Sequence, residues 1–279
     1  MSGPGPASGP GRAPAGEPGD DPLAVFRDLR ERTVRDQHDL FIAESRHVVE
    51  RVLVATDLDV VRVVCTAAAA ERLAGGLARV PAERISVLAP DRLAALAGYD
   101  VHRGVLAAVR RPPARSPEQV LAGARLVAVL EDLTDPENLG ALTRSASALG
   151  VGGLLLSERC TDPLYRRTVR VSMGEVLRLP FARLAPWPEA LARLRDRGWC
   201  TIGLSGDGGR RIEQLGPLAA GRPLALVLGS EADGLSSGAR RGCEHLVRIP
   251  MRPGVDSLNV AAAAAIAFHQ AGLATGEVG

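Results

Sequence analysis

The 279-residue sequence contains no lysine; all 34 of its basic residues are arginine. That absence excludes Schiff-base chemistry, a lysine general base and the P-loop, each of which needs an amine. Aromatics are scarce at 3%, which leaves little for base-stacking platforms. No run approaches the ~20 apolar residues of a membrane-spanning helix. The N-terminus has no apolar core flanked by basic residues, so no secretory signal is expected. Cys65, Cys160, Cys200 and Cys243 are scattered, with no CxxC pair. Four reduced thiols in a cytoplasmic protein are the expectation. His38, His47, His102, His245 and His269 form no spaced ligand set, and no metal is expected.

What is present suits a folded α/β protein. Hydrophobic residues make up 46% of the chain and the net charge is only +2, so composition alone does not announce a nucleic-acid binder. Arginine clusters at 110–115, 166–170, 210–211 and 240–241 carry planar forks that can bind oxygens bidentately. Residues 1–21 are dominated by Gly, Pro, Ala and Ser, a composition that predicts disorder. A helix is expected over about 22–36. From 40 to 109, short apolar runs alternate with helical patterns, which predicts a small α/β unit within 22–111. A proline-containing linker is expected at 112–120, and a second unit over 121–279. Its buried-strand candidates are 126–130, 153–156, 176–179, 201–204, 224–228 and 246–249, with helices between most of them. Near-continuous apolar strands alternating with helices imply a parallel sheet covered on both faces. Ligands of such sheets gather at the carboxyl ends of the strands.

Three segments sit at those ends. The first is Leu126-Val-Ala-Val-Leu-Glu-Asp-Leu-Thr-Asp-Pro-Glu-Asn-Leu-Gly-Ala-Leu-Thr-Arg144. The second is Leu226-Val-Leu-Gly-Ser-Glu-Ala-Asp-Gly-Leu-Ser236. The third is Ile249-Pro-Met-Arg-Pro-Gly-Val-Asp-Ser-Leu-Asn-Val260, followed by five alanines. Asn138 is expected to cap a helix, and it converges with Arg144, six residues on, only if Asn138 stays in the loop. Gly229 allows backbone to approach a ligand closely. Ser257 and Asn259 precede a helix whose small residues permit tight packing. No Gly-x-Gly-x-x-Gly follows the first strand of this unit, which disfavours a Rossmann dinucleotide site. Gly206-Asp-Gly-Gly209 reads as a turn.

In order and spacing, the three segments resemble the signature motifs of the SpoU (TrmH-like) family of the SPOUT superfamily of RNA methyltransferases. The resemblance is close over about 125–275 and weaker over 38–111. It implies an α/β parallel-sheet domain with a C-terminal trefoil knot, preceded by a small α/β domain that binds the RNA substrate. It also implies a homodimer that transfers a methyl group from S-adenosylmethionine to a ribose 2′-hydroxyl. Ribosomal RNA, 23S in particular, is the favoured substrate, with tRNA or a non-catalytic RNA-binding role as alternatives. The matched catalytic positions are Arg144, Asn138, Glu231, Ser257 and Asn259. Those expected to contact the cofactor are Leu228, Gly229, Ile249, Leu258 and Asn259. Two departures from the family pattern touch loop shape: Pro253 stands where many relatives carry glycine, and Ala261 where they often carry serine.

Overall fold

The computed structural model describes residues 21–27, 29, 38–255 and 257–278. The expected disorder of the N-terminal tail and most of the 22–36 helix lie outside those residues. The described part of the latter is a 3-10 turn, Ala24–Phe26.

The first sheet is formed by β1 (Leu40–Glu44), β2 (Val60–Cys65), β3 (Ile85–Val87) and β4 (Val105–Arg110), in the order β1-β4-β2-β3. Its helices are α1 (Arg46–Val54), α2 (Ala67–Arg72), α3 (Ala74–Leu77) and α4 (Pro90–Ala97). The helical stretch 67–77 is broken between α2 and α3, at Leu73. After extended residues, Ser116 opens α5 (Pro117–Leu121) with a capping box, accepting from the Gln119 N–H while the Gln119 side chain accepts from its own. The 112–120 stretch is therefore partly helical.

A second sheet of seven parallel strands follows, in the order β7-β6-β5-β10-β8-β11-β9. The chain runs through β5 (Leu126–Leu130), α6 (Pro136–Ala148), β6 (Leu154–Leu156), α7 (Arg166–Val171), β7 (Phe181–Arg183) and α8 (Ala190–Asp196). It continues through β8 (Cys200–Leu204), β9 (Arg210–Arg211), α9 (Leu215–Ala219), β10 (Leu224–Leu228), α10 (Ser237–Gly242), β11 (His245–Arg248) and α11 (Val260–Thr275). The period-2 geometry of a strand sends alternate side chains to opposite faces. Leu126, Ala128 and Leu130 accordingly join Leu224, Leu226 and Leu228 beneath α6, α9 and α11. Val127 and Val129 join Ala225 and Val227 beneath α8 and α10. Both faces are covered, which is why these strands read as unbroken apolar runs.

One expected strand is absent. Residues 175–177 form a 3-10 turn entered through Gly174 at φ 78°, and the edge strand begins later, at Phe181. The apolar pattern had a different purpose. Val176, with Leu164 and Val169, packs into the core of the first sheet beside Phe41, Val48 and Val52. The two sheets share that core. Among the described residues, no helix is long and apolar enough to cross a membrane.

Candidate active site

The carboxyl ends of β5 and β10 lie side by side, where the chain's route through the sheet reverses direction, and ligands of open α/β sheets bind at such points. After β5, Asp135 is the N-cap of α6, its Oδ1 accepting from the Glu137 N–H at 2.9 Å, and Pro136 takes the first helical position. Asn138 therefore sits within the first turn of the helix and does not cap it. Because Asp135 satisfies the helix end, the Asn138 amide is left for other partners. Its Nδ2 donates to Glu231 Oε1 at 3.2 Å, and its Oδ1 accepts from Asn259 Nδ2 at 3.0 Å.

Asn259 is itself the N-cap of α11. Its Oδ1 accepts from the Ala261 and Ala262 N–H groups at 2.9 and 3.4 Å. That bond dictates which end of the amide faces outward. The α11 N-terminus holds the Asn259 oxygen, so its NH2 points to Asn138, whose own NH2 then points to Glu231. Three segments distant in sequence are joined by one row of amides with a fixed polarity, ending on a carboxylate. The Asp135 N–H adds a longer contact to Glu231 Oε1, 3.4 Å.

Glu231 is carried by the loop after β10. Ser230 and Gly234 exchange backbone hydrogen bonds, and Ser230 Oγ accepts from the Asp233 N–H. The loop folds back tightly on Gly229; a Cβ there would stand 2.0–2.3 Å from the backbone of Gly234 and Leu235. Only glycine fits that approach. The resulting cleft has a volume of about 370 Å³, and its lining includes Asn138, Leu228, Gly229, Glu231, Ser257, Leu258 and Asn259. A smaller hollow of about 140 Å³ adjoins it through Leu204, Ser257, Leu258 and Ala263, and adds Ile249 and Met251. Leu258 is 40% exposed, an apolar side chain in a cleft of mixed lining. The site offers a carboxylate, a hydroxyl and amides beside an apolar shelf, which suits a ligand with both characters.

Residues 125–269 match the model of the SpoU rRNA Methylase family. The chain belongs to the SpoU family. It is 41% identical over 259 residues to an uncharacterized tRNA/rRNA methyltransferase of Mycobacterium bovis, covering 91% of this chain and 89% of that one. The structure is similar to that of the SpoU methyltransferase AviRb from Streptomyces viridochromogenes. The TM-score is 0.75 at 25% identity, covering 91% of this chain and 96% of AviRb. AviRb in complex with AdoMet gives 0.74 at the same identity, covering 90% and 96%.

For this SpoU protein, all but one of the expected site residues line the cleft or its adjoining hollow. Arg144 lines neither. With Asn138 inside α6, six residues of helix leave Arg144 about 120° around the axis from it, so the condition for convergence within one chain is not met. Arg144 is exposed.

Sequence reasoning also passed over Glu131, the residue after β5. Its side chain is buried at 3% exposure. Oε1 accepts from the Trp187 indole at 2.6 Å and Oε2 from the Ser236 N–H at 2.8 Å. An acidic residue ending a wholly apolar strand was the available signal.

Cys200, Glu244 and His245 offer ligand atoms within 4.8 Å of one another. Glu244 is already engaged by Arg222, at 2.9 and 3.3 Å, and by the Thr201 N–H, while burial pushes the Cys200 thiol up, away from the thiolate a metal needs. The group is better described as a structural ion pair beside a buried thiol.

Proposed function

We propose that this SpoU protein is an S-adenosylmethionine-dependent RNA methyltransferase that modifies a ribose 2′-hydroxyl, with 23S ribosomal RNA as its substrate. The observation that carries this reading is the Asn259–Asn138–Glu231 row, at the open ends of β5 and β10, beside a glycine that admits no side chain. The donor set fits the cofactor: backbone edges around Gly229, the shelf of Leu258 and Ile249, and a cleft continuous with a second hollow. When bound, S-adenosylmethionine supplies an activated methyl group on a sulfonium.

The chain must then align a weak nucleophile and stabilise the charge that develops on its oxygen. Ser257 is placed to hold the ribose, and Glu231, fixed by Asn138, to accept hydrogen bonds from sugar hydroxyls. Arg144 is the cation for the developing alkoxide. Arginine stays protonated, so its role is electrostatic, and it serves the cleft of a second copy. Its exposure supports that arrangement, as does α11, where Ile266, His269 and Leu273 form an exposed stripe along one face. The knotted course of the C-terminal segment and the assignment of substrate choice to residues 22–111 belong to the same reading, as does a cytoplasmic location.

The test is incubation with labelled S-adenosylmethionine and unmodified rRNA or tRNA, followed by digestion to nucleosides. A 2′-O-methylated nucleoside from rRNA is expected. Label on a base would overturn the ribose assignment, label only in tRNA the choice of RNA, and absence of both label and cofactor binding the enzyme reading itself. Arg144→Ala should nearly abolish turnover and, at an exposed position, change stability by less than about 0.5 kcal/mol. Mixing Arg144→Ala subunits with Asn259→Ala subunits should partly restore activity, since one site of each mixed dimer keeps both residues. No recovery would place Arg144 elsewhere.

A further inference from the structure

We propose that the exposed face of α7, continued by Arg178, is a track for the RNA phosphate backbone, leading from the four-stranded sheet to Arg144. The inference rests on the reading of Arg144 given above and adds the route by which the substrate reaches it.

The track begins with the geometry of α6. Glu137, Gly140, Arg144 and Ser147 recur at helical spacing and share one stripe. Glu137 pairs with Arg167 of α7. Gly140 lies against α7 so closely that a Cβ would stand 2.8 Å from Val171 and 2.9 Å from the Thr168 carbonyl oxygen. Ser147 Oγ donates to Glu175, just beyond α7, at 2.7 Å. Arg144, between Gly140 and Ser147, therefore stands over the seam between the two helices.

On both sides of α7, toward β1 and toward α6, the charges are layered. Glu44 of β1 lies beneath Arg166 and Arg170, at 3.5 and 3.7 Å, and Glu175 beneath Arg51 and Arg178. The two carboxylates are 2% and 14% exposed, whereas Arg167 and Arg178 are 59% and 73% exposed. Acids lie underneath and guanidinium groups on top, so the surface presented to solvent is cationic even though the whole chain carries only +2. Glu137 is exposed on the α6 side of this stretch, and Glu50 is exposed beside Arg51 on the α1 side. A solvent-exposed ion pair such as Arg167–Glu137 holds by little more than about 1 kcal/mol, so exchanging the carboxylate for a phosphate costs little.

The ligand this face fits is a phosphodiester backbone, not a set of bases. Of the two rings beside α7, Tyr99 is covered by the Arg166 guanidinium at 4.9 Å and Tyr165, at the N-cap, is half-buried, and arginine forks are matched to phosphate oxygens. Contacts of that kind position RNA without reading its sequence.

The experiment measures binding of the full chain to two short single-stranded RNAs of different composition over a range of salt. The variants are Arg167→Gln/Arg178→Gln and the same with Arg170→Gln. Arg195→Gln, on the exposed side of α8, controls for loss of one charge. Each lost phosphate contact should lower the slope of log affinity against log salt by about 0.7–0.9. The double variant should bind roughly tenfold or more weakly at low salt, to the same extent for both RNAs, with S-adenosylmethionine affinity unchanged. Variants that bind RNA with the wild-type affinity and slope would overturn the track. A loss confined to one RNA would overturn its backbone character. Wild-type protein with no salt-dependent RNA binding would instead defeat the reading of the protein as an RNA methyltransferase.

Discussion

Glu131 shows how much one residue can organise. It follows β5, its N–H bonded to the Leu228 carbonyl at the end of β10, and its buried carboxylate holds the exit of the Gly229–Glu231 loop through Ser236 and the segment after β7 through Trp187. A buried carboxylate is costly unless its oxygens are satisfied, and here the indole and a backbone N–H donate to one oxygen each. Glu131→Gln keeps the shape but offers only one acceptor, so one donor must face an NH2 group. The expected loss is about 1–3 kcal/mol of stability, with a shift in Trp187 emission as the charge beside its N–H is removed. If the loop holds the cofactor, KM for S-adenosylmethionine rises while kcat changes little. Unchanged emission together with unchanged KM would reduce Glu131 to a passive core residue. The same scale explains what motifs reveal. Asn138, Gly229, Glu231, Ser257 and Asn259 were legible because each sits in a short run of chemically constrained residues. The direction of their amides was not, because it follows from Asp135 taking the cap and Asn259 receiving the N–H groups of α11.

Strands buried on both faces announce themselves, and β5, β8 and β10 fall within a residue of their expected bounds. The run at 176–179 misled because apolar spacing records burial without saying against what. Val176 is buried against the other sheet, and Pro180 delays the edge strand. Several elements are also joined by ion pairs that no local pattern foretells. Glu175 links the turn before β7 to α6 through Ser147 and to α1 through Arg51. Burial alone would raise its carboxyl, but hydrogen bonds from Ser147 and Arg51 carry it below the ordinary value. Glu244 behaves alike, with burial opposed by Arg222 and the Thr201 N–H. Asp132 is held low first by Arg159 and then, against burial, by Ser157. A carboxyl whose folded pKa lies below its unfolded one contributes stability above the unfolded value, and that stability is lost as pH falls through the folded value. The melting temperature should therefore hold between about pH 7 and 5 and fall once pH drops below the unfolded carboxylate range, near 4. Glu175→Gln should start lower at neutral pH and fall less steeply in acid. Superimposed melting temperatures for the variant and wild type at every pH would show that this tie contributes nothing.

At the scale of the molecule, the composition shift and prolines at 112–120 suggest two units on a linker, yet the packing joins them. Leu164, Val169 and Val176 of the second unit complete the core of the first. Arg111, which ends the first unit, donates from one nitrogen, Nη2, to both carboxylate oxygens of Asp162 of the second at 2.7 and 2.9 Å, both side chains largely buried. A chain cut to residues 112–279 would expose those three apolar side chains, at about 1.5–3 kcal/mol each, and leave Asp162 without its guanidinium. Set against the 5–15 kcal/mol that usually separates folded from unfolded protein, the loss approaches the whole margin. The fragment is therefore expected to express poorly, or to melt far below the full chain, despite keeping every residue of the cleft. Co-expression with residues 1–111 as a separate chain should recover solubility, because the missing surface is then supplied without a covalent link. A fragment that melts like the intact protein would mean that the shared core contributes little and that the four-stranded sheet is a tethered accessory. Melting the fragment alone and with its complement decides between one cooperative body and two.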